Sequence, residues 1–155
     1  MVRLDLLNVG LVEETGGILL VLRAPEKERL LVIETGILEG EAIVLEAEGV
    51  RSERPLTQDL LYDAIVGLGA RVHEVQILDF HDEAFVAKIV LGKGDGLMRV
   101  ELDARPSDAV ALALRAHAPI YVNDRLLSEY GIPDDLEGRM AELYDEEEPG
   151  ERTVH

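Results

Sequence analysis

The segment DAVALALRAH, residues 108–117, constrains the fold more than any other part of the chain. Its apolar residues follow one another without the polar stripe of a surface helix, so the segment predicts a helix that is apolar on all sides. Such a helix must be covered on all sides, whereas a sheet in a small domain covers only one face. Either the helices predicted over residues 37–48 and 57–68 cover the rest, or a second subunit does.

The length and composition are those of one globular domain, with 155 residues of which 47% are hydrophobic and 30% charged. The chain contains no cysteine, which excludes disulfides, thiolate metal sites and cysteine nucleophiles, and favours a cytoplasmic location. No apolar run approaches the roughly eighteen residues of a membrane span, and the first residues do not resemble a signal peptide. We therefore expect a cytoplasmic protein with no membrane contact.

The first half of the chain predicts a hairpin followed by two helices. The runs GILLVLR (17–23) and RLLVIET (29–35) read as two strands joined by a charged turn. Residues 37–48 then have the amphipathic spacing of a helix, closed by Gly49. A second helix follows Pro55, and its apolar positions predict one inward face, formed by Leu60, Leu61, Ala64, Ile65 and Leu68.

The second half repeats this plan. Strands are predicted at 71–80, 84–92 and 96–104, followed by the apolar helix, a short strand at 119–123 and a helix from residue 124. A hairpin followed by a helix thus occurs twice, which suggests an internal duplication. The sequence predicts a single α+β domain over residues 1–133, with an antiparallel or mixed sheet and helices packed on it. Residues 134–155 are predicted to form an acidic, flexible C-terminal tail.

The net charge of -17 limits the partners that the chain can bind. Affinity for nucleic acid comes largely from cations that neutralise phosphates, so the charge disfavours general nucleic-acid binding. The charge is uneven, because nine acids and only two arginines lie from Asp134 onward. Nucleic acid therefore remains a partner only if the body of the chain carries a compact positive patch.

Two similar motifs, RPLTQD (54–59) and RPSD (105–108), each lead into a predicted helix with proline at its first position. Proline loses no hydrogen bond there, and Ser107 and Asp108 in the first turn suit the positive helix end, so the Pro-Ser-Asp portion indicates helix capping. Capping does not explain the arginines, which have the wrong sign for this helix end. We therefore expect Arg54 and Arg105 to meet a carboxylate or an anionic ligand.

Three segments together, GILEGEAIVLE, ERPLTQDLLYDAIVGLGA and ELDARPSDAVALALRAHAPIYV, resemble the bifunctional nuclease domain family in order and spacing. The resemblance covers residues 1–133 and implies an α+β fold, oligomeric and often dimeric members, and hydrolysis of DNA and RNA. The chain departs from the family pattern at two positions, with Gln58 where histidine is frequent and Gly40 where alanine is frequent. Loss of the histidine weakens any acid or base role at residue 58.

Metal-assisted cleavage of a phosphodiester would need carboxylates that converge on Mg²⁺ or Mn²⁺, and a cation that neutralises the phosphate. The candidate metal ligands are Asp103, Asp108, Asp59 and Glu39. Arg54 and Arg105 are the candidate phosphate-binding cations, and Ser107 completes the candidate catalytic set, although it has no histidine partner in the sequence.

Three functions remain open at this point. The first is a metal-assisted nuclease. The second is a non-catalytic dimeric scaffold or regulator, in which acids pair fully with the arginines and the acidic tail meets a basic protein. The third is an enzyme for a small anionic molecule, which would need a closed, ligand-sized pocket.

Overall fold

A computed structural model describes residues 1–94, 96 and 98–135. These residues form one mixed sheet, four α-helices and a short 3₁₀ turn at Pro25–Lys27. The strands are β1 (Val2–Leu11), β2 (Ile18–Ala24), β3 (Arg29–Thr35), β4 (Ala70–His81), β5 (Ala84–Lys93), β6 (Met98–Ala104), β7 (Ile120–Val122) and β8 (Ile132–Pro133). The helices are α1 (Ile37–Ala47), α2 (Thr57–Gly67), α3 (Pro106–Ala116) and α4 (Asp124–Tyr130).

The sheet consists of two antiparallel three-stranded meanders joined by a short strand. Its order is β6-β5-β4-β7-β1-β2-β3-β8, so β7 lies between the meanders, parallel to β4 and antiparallel to β1. Each meander is followed directly by a helix, α1 in the first half and α3 in the second. The predicted α+β fold, with a mixed sheet and helices packed on it, is confirmed.

Helix α3 lies at the centre of the core. Eight of its eleven residues are buried, and it contacts β4 and β5 of the sheet as well as α1 and α2. The neighbouring helices therefore supply the cover that an apolar helix requires. Of the two alternatives, the structure supports the first, and α3 needs no second subunit to be buried.

Helix α2 starts where the predicted range of 57–68 puts it, but its proline position and its inward face differ from the prediction. It begins at Thr57, so Pro55 lies before the helix, because the Asp59 carboxylate accepts a hydrogen bond from the Leu56 N–H and makes Leu56 the last non-helical residue. For α3, by contrast, proline does occupy the first helical position. The predicted inward face of α2 is also wrong, since only Ile65 is buried and Leu60 and Leu68 are 61% and 77% exposed.

The folded part of the chain extends at least one residue beyond the predicted boundary. Asp134 forms an ion pair with Arg23 at 2.6 Å, and its N–H donates to the carbonyl of Glu28. The rest of the predicted tail, from residue 136 onward, lies outside the described residues. Within the described part, no helix has the length and apolar character needed to cross a membrane.

Alanine should have opposite effects at two helical glycines, Gly40 of α1, which contacts β2 closely, and Gly67 of α2, which faces open space. A Cβ added at Gly40 would lie 2.6 Å from the Cβ of Ile18, whereas one added at Gly67 would meet no heavy atom within 4 Å. We expect Gly40→Ala to lower the free energy of unfolding by about 1 to 2 kcal/mol through overpacking. Gly67→Ala should raise it by about 0.5 kcal/mol through helix propensity. Urea unfolding measures both, and a stabilising Gly40→Ala would contradict the packing described for α1.

Candidate active site

Arg105 joins the first turns of α1 and α3. Its guanidinium donates to both carboxylate oxygens of Asp108, at 2.8 and 3.2 Å, and to Glu39 of α1 at 2.9 Å. The expectation that this arginine meets a carboxylate is confirmed. The side chain nevertheless remains 64% exposed, and three of its five N–H donors are used in these bonds. A fixed cation with two remaining donors therefore faces solvent.

The pKa values of this cluster follow from its hydrogen bonds. The bonds to Asp108 and then to Glu39 raise the pKa of Arg105. A backbone N–H bond and the bond from Arg105 lower the pKa of Glu39. At neutral pH, Arg105 is therefore charged, and Glu39 is an ionised but weak base.

As predicted, Pro106 takes the first helical position and the Asp108 carboxylate lies in the first turn of α3, but no side chain caps this helix end through a hydrogen bond. The Asp108 carboxylate is bound to Arg105 instead, because the bidentate pair is a strong, charge-assisted interaction. The first backbone bond of the helix runs from the N–H of Ala109 to the carbonyl of Arg105, so the N–H groups of Ser107 and Asp108 have no partner within the helix. Ser107 is only 6% exposed, and among the described residues its hydroxyl makes no hydrogen bond.

A cavity of about 410 Å³ lies against this helix end. Arg105, Pro106 and Ser107 form one wall, and Phe80, Ala84 and Phe85 of the β4–β5 hairpin form another. The end of β3 and the start of α1 complete it, including Glu34 and Glu39. We call this cavity the α3 cleft.

The α3 cleft contains an aromatic cluster that sequence reasoning missed. Phe80 and Phe85 are cross-strand partners with ring centroids 4.9 Å apart, and Tyr130 packs against both rings. The chain has six aromatic residues in all, two Phe and four Tyr, so half of them gather here. The two phenylalanines pair because the turn consists of Asp82 and Glu83 alone, one residue shorter than the predicted turn at 81–83.

Asp59 belongs to a different network, at the opposite end of α3. It binds Arg115, whose side chain is 4% exposed. The Glu46 carboxylate lies 3.9 Å from the Nε atom of Arg115. Burial by itself raises the pKa of Asp59, but the bonds from Arg115 and from the Leu56 N–H, with the charges of Arg115 and Arg51, lower it overall. Arg115 lies seven residues beyond Asp108 along α3, about 10 Å at the helical rise. Asp59 therefore does not reach the α3 cleft.

The structure does not bring the four predicted metal ligands together. Glu39 and Asp108 share Arg105, Asp59 binds Arg115, and Asp103 lies exposed on β6 without a described ion pair. No three carboxylate or histidine side chains converge as a metal site within residues 1–94, 96 and 98–135. The four predicted ligands therefore do not form one shared metal site among the described residues.

Two further residues singled out from the sequence lie away from the cleft. Arg54 is in the exposed loop before α2, and its side chain has no described carboxylate partner. Gln58, at the family histidine position, lies in the first turn of α2 and does not line the α3 cleft. An acid or base role at residue 58 would therefore act outside this cavity.

The buried pair of Arg115 and Asp59 predicts a pH-dependent loss of stability. Asp59→Asn should cost about 3 kcal/mol at pH 7, because it leaves the buried Arg115 with Glu46, at 3.9 Å, as its remaining described ion-pair partner. Because the pKa of Asp59 is lowered by folding from its usual 3.8, this stabilisation is present above that value and disappears as the pH falls through the folded-state pKa. Unfolding at pH 7, 5 and 3 should show the difference from wild type shrink below about pH 4.

Asp63→Asn is the matched control for this prediction. Asp63 lies on the same helix and near Arg115 but has no described ion pair. The control should change the free energy of unfolding by less than about 0.5 kcal/mol. An equal loss in both variants, or a loss for Asp59→Asn that does not change with pH, would contradict the role given to the pair.

Comparison with known proteins identifies the family. The model of the bifunctional nuclease domain matches residues 20–135. A Mycobacterium tuberculosis protein named only as uncharacterized is 39% identical over 131 residues, which cover 83% of this chain and 77% of the relative. "Bifunctional nuclease 2" of Oryza sativa subsp. japonica is 33% identical over 76% of this chain, and that of Arabidopsis thaliana is 32% identical over 70%. The matches span only 40% and 36% of these two plant proteins. The chain belongs to the bifunctional nuclease domain family.

Proposed function

We propose that this protein hydrolyses phosphodiester bonds of nucleic acid in the α3 cleft. The observation that carries the proposal is the uncapped start of α3, where Ser107 is 6% exposed and makes no described side-chain hydrogen bond, and where the charged Arg105 is held alongside. The names of the plant relatives support the same chemical class.

The start of α3 has the groups that a phosphate requires. Backbone N–H groups at a helix N-terminus, with the positive end of the helix dipole, form an anion site. The N–H groups of Ser107 and Asp108 would bind one phosphate oxygen, and the Ser107 hydroxyl a second. Arg105 would use its two remaining N–H donors, while Asp108 and Glu39 fix the orientation of the guanidinium.

The proposed reaction is attack of water on phosphorus. Glu39 lines the cleft and is ionised, so it can orient the water and accept its proton as the new P–O bond forms. The P–O bond to the leaving oxygen breaks, and the proton passes to that oxygen. Arg105 and the helix N–H groups stabilise the added negative charge. Because Glu39 is a weak base, we expect slow turnover. No step of the proposal uses a protein-bound metal ion.

The proposal predicts that two side chains of the cleft are required for activity. Arg105→Gln and Ser107→Ala should each lower kcat/KM on labelled single-stranded RNA and DNA by about 100-fold, the usual cost of losing one donor to developing charge. Arg125→Gln is the control, because Arg125 is an exposed arginine whose partners within the described part of the chain are Asp79 and Glu129. All variants are compared by circular dichroism and Tm, with Mg²⁺, Mn²⁺ or EDTA in parallel.

The outcomes separate the functions that the sequence left open. Activity in EDTA that is lost in the two folded cleft variants supports the proposal. Activity that requires a metal and is unaffected by Arg105→Gln would place hydrolysis elsewhere. Equal inactivity of wild type and variants would favour the dimeric scaffold, in which Arg105 and Asp108 are a structural ion pair and the acidic tail binds a basic protein.

A second copy of the chain is the partner that we propose for β6. This strand ends the sheet and exposes Met98, Val100 and Leu102 on alternate positions. Unpaired edges of this kind readily pair with another strand. In an antiparallel pair of two β6 strands centred on Glu101, Val100 would face the partner's Leu102, and Arg99 would face the partner's Asp103. Lys88 and Arg99 hold the central Glu101, at 2.8 and 3.2 Å.

This pairing predicts a charge-swap result. Asp103→Arg should dissociate the dimer by placing like charges opposite each other, and the double variant Arg99→Asp/Asp103→Arg should restore it. Light scattering after gel filtration measures the mass. Leu68→Lys on the exposed face of α2 is the control. If Leu68→Lys dissociates the dimer and Asp103→Arg does not, the interface lies on α2 and not on β6. If the wild type is a monomer, the proposed β6 pairing is wrong.

A further inference from the structure

We infer that the α3 cleft accepts a single nucleotide unit, so that its substrates are dinucleotides and free strand ends rather than the interior of long strands. This inference rests on the function proposed above. Three features of the cleft carry it: its size, the separation of its two kinds of wall, and the charge around it.

The size matches one unit. Pockets for small molecules enclose roughly 300–1,000 Å³, and the α3 cleft, at about 410 Å³, lies in the lower part of that range. This volume is enough for one base with its sugar and phosphate.

The two walls match the two parts of a nucleotide. The α3 wall, with Arg105 and Ser107, supplies the donors that a phosphate needs. The hairpin wall presents Phe80 and Phe85, held at an edge-to-face angle by their own contact and by Tyr130. Stacking of a base on an aromatic ring contributes about 1–3 kcal/mol and does not depend strongly on which base is present. The cleft is therefore suited to one base, whichever of the bases it is.

The charge around the cleft opposes a longer strand. Three glutamates, Glu34, Glu39 and Glu83, line the cavity with a single arginine. Asp82, in the same hairpin turn as Glu83, is 88% exposed. A strand that continued past the bound unit would bring further phosphates against these acids and against a chain whose net charge is -17. A dinucleotide or a strand end avoids most of this repulsion.

Rising salt should therefore increase the activity on long strands, whereas it usually weakens nucleic-acid binding. Binding of long nucleic acids to proteins ordinarily weakens as salt rises, because released counterions drive it. Here the dominant long-range term is repulsion, which salt screens with a Debye length of about 10 Å at 0.1 M. Activity on long strands should rise with salt, while activity on a dinucleotide should change little.

The test compares thymidine dinucleotide, a 5-mer and a 20-mer at 20 and 200 mM KCl. At low salt, kcat/KM should be about 10-fold or more higher for the dinucleotide than for the 20-mer, and the gap should narrow at high salt. The double variant Glu34→Gln/Glu83→Gln should reduce the difference in kcat/KM between the dinucleotide and the 20-mer at low salt, because it removes two negative charges that line the cavity. Phe85→Leu should raise KM for the dinucleotide about 10-fold with little change in kcat.

Equilibrium binding of thymidine monophosphate, followed by amide chemical shifts, separates the two proposals. Binding that is lost in Arg105→Gln and weakened in Phe85→Leu supports the single-unit cleft even if no substrate is cleaved, in which case only the proposed hydrolysis fails. Cleavage of the 20-mer in preference to the dinucleotide at low salt would overturn the inference and leave the nuclease standing. Absence of both cleavage and binding would overturn both.

Discussion

The fold depends on the burial of α3. A helix that is apolar on every side has no stable position at a surface, so the sheet, α1 and α2 must all pack against it. This requirement sets the place of the other helices more firmly than their own patterns do. Helix α2 shows the point, because it reaches α3 while leaving most of its own leucines exposed. The core is organised around one segment, and its neighbours are positioned by the need to cover it.

The two arginines of α3 serve different ends because their surroundings differ. Arg115 is buried and bonded to Asp59 and to the carbonyl of Ala111, so its ion pair fixes α2 against α3. Arg105 is also paired with acids, but it is mostly exposed and lies beside an uncapped helix start. Two arginines at opposite ends of α3 thus have different roles. Arg115 holds α2 against α3, and Arg105 offers a cation for the proposed anion site.

Local pattern was enough to predict most of the fold. The alternation of the strands, the amphipathic spacing of residues 37–48 and the proline at 106 located β2, β3, the second meander, α1 and the start of α3, whereas no bounds were predicted for β1. The errors arose where a residue's partner lies far away in the chain. Arg105, three residues before Asp108, also binds Glu39, 66 positions earlier. Asp59 is drawn to Arg115, 56 positions later, and so could not join a metal site. No local period reveals such pairs, nor the meeting of Tyr130 with Phe80 and Phe85.

The position of β7 has a consequence for how the chain acquires its shape. Only three residues, Ile120–Val122, join the two meanders, and they pair with Val2–Leu4 at the very start of the sequence and with Val75–Ile77 in the middle. Contacts of such long separation form late and slowly, because the entropy of closing the intervening loop must first be overcome. During synthesis, the beginning of β1 therefore remains unpaired with β7 until nearly the whole domain has left the ribosome. The last strand to emerge in the core is the one that makes the two halves a single sheet.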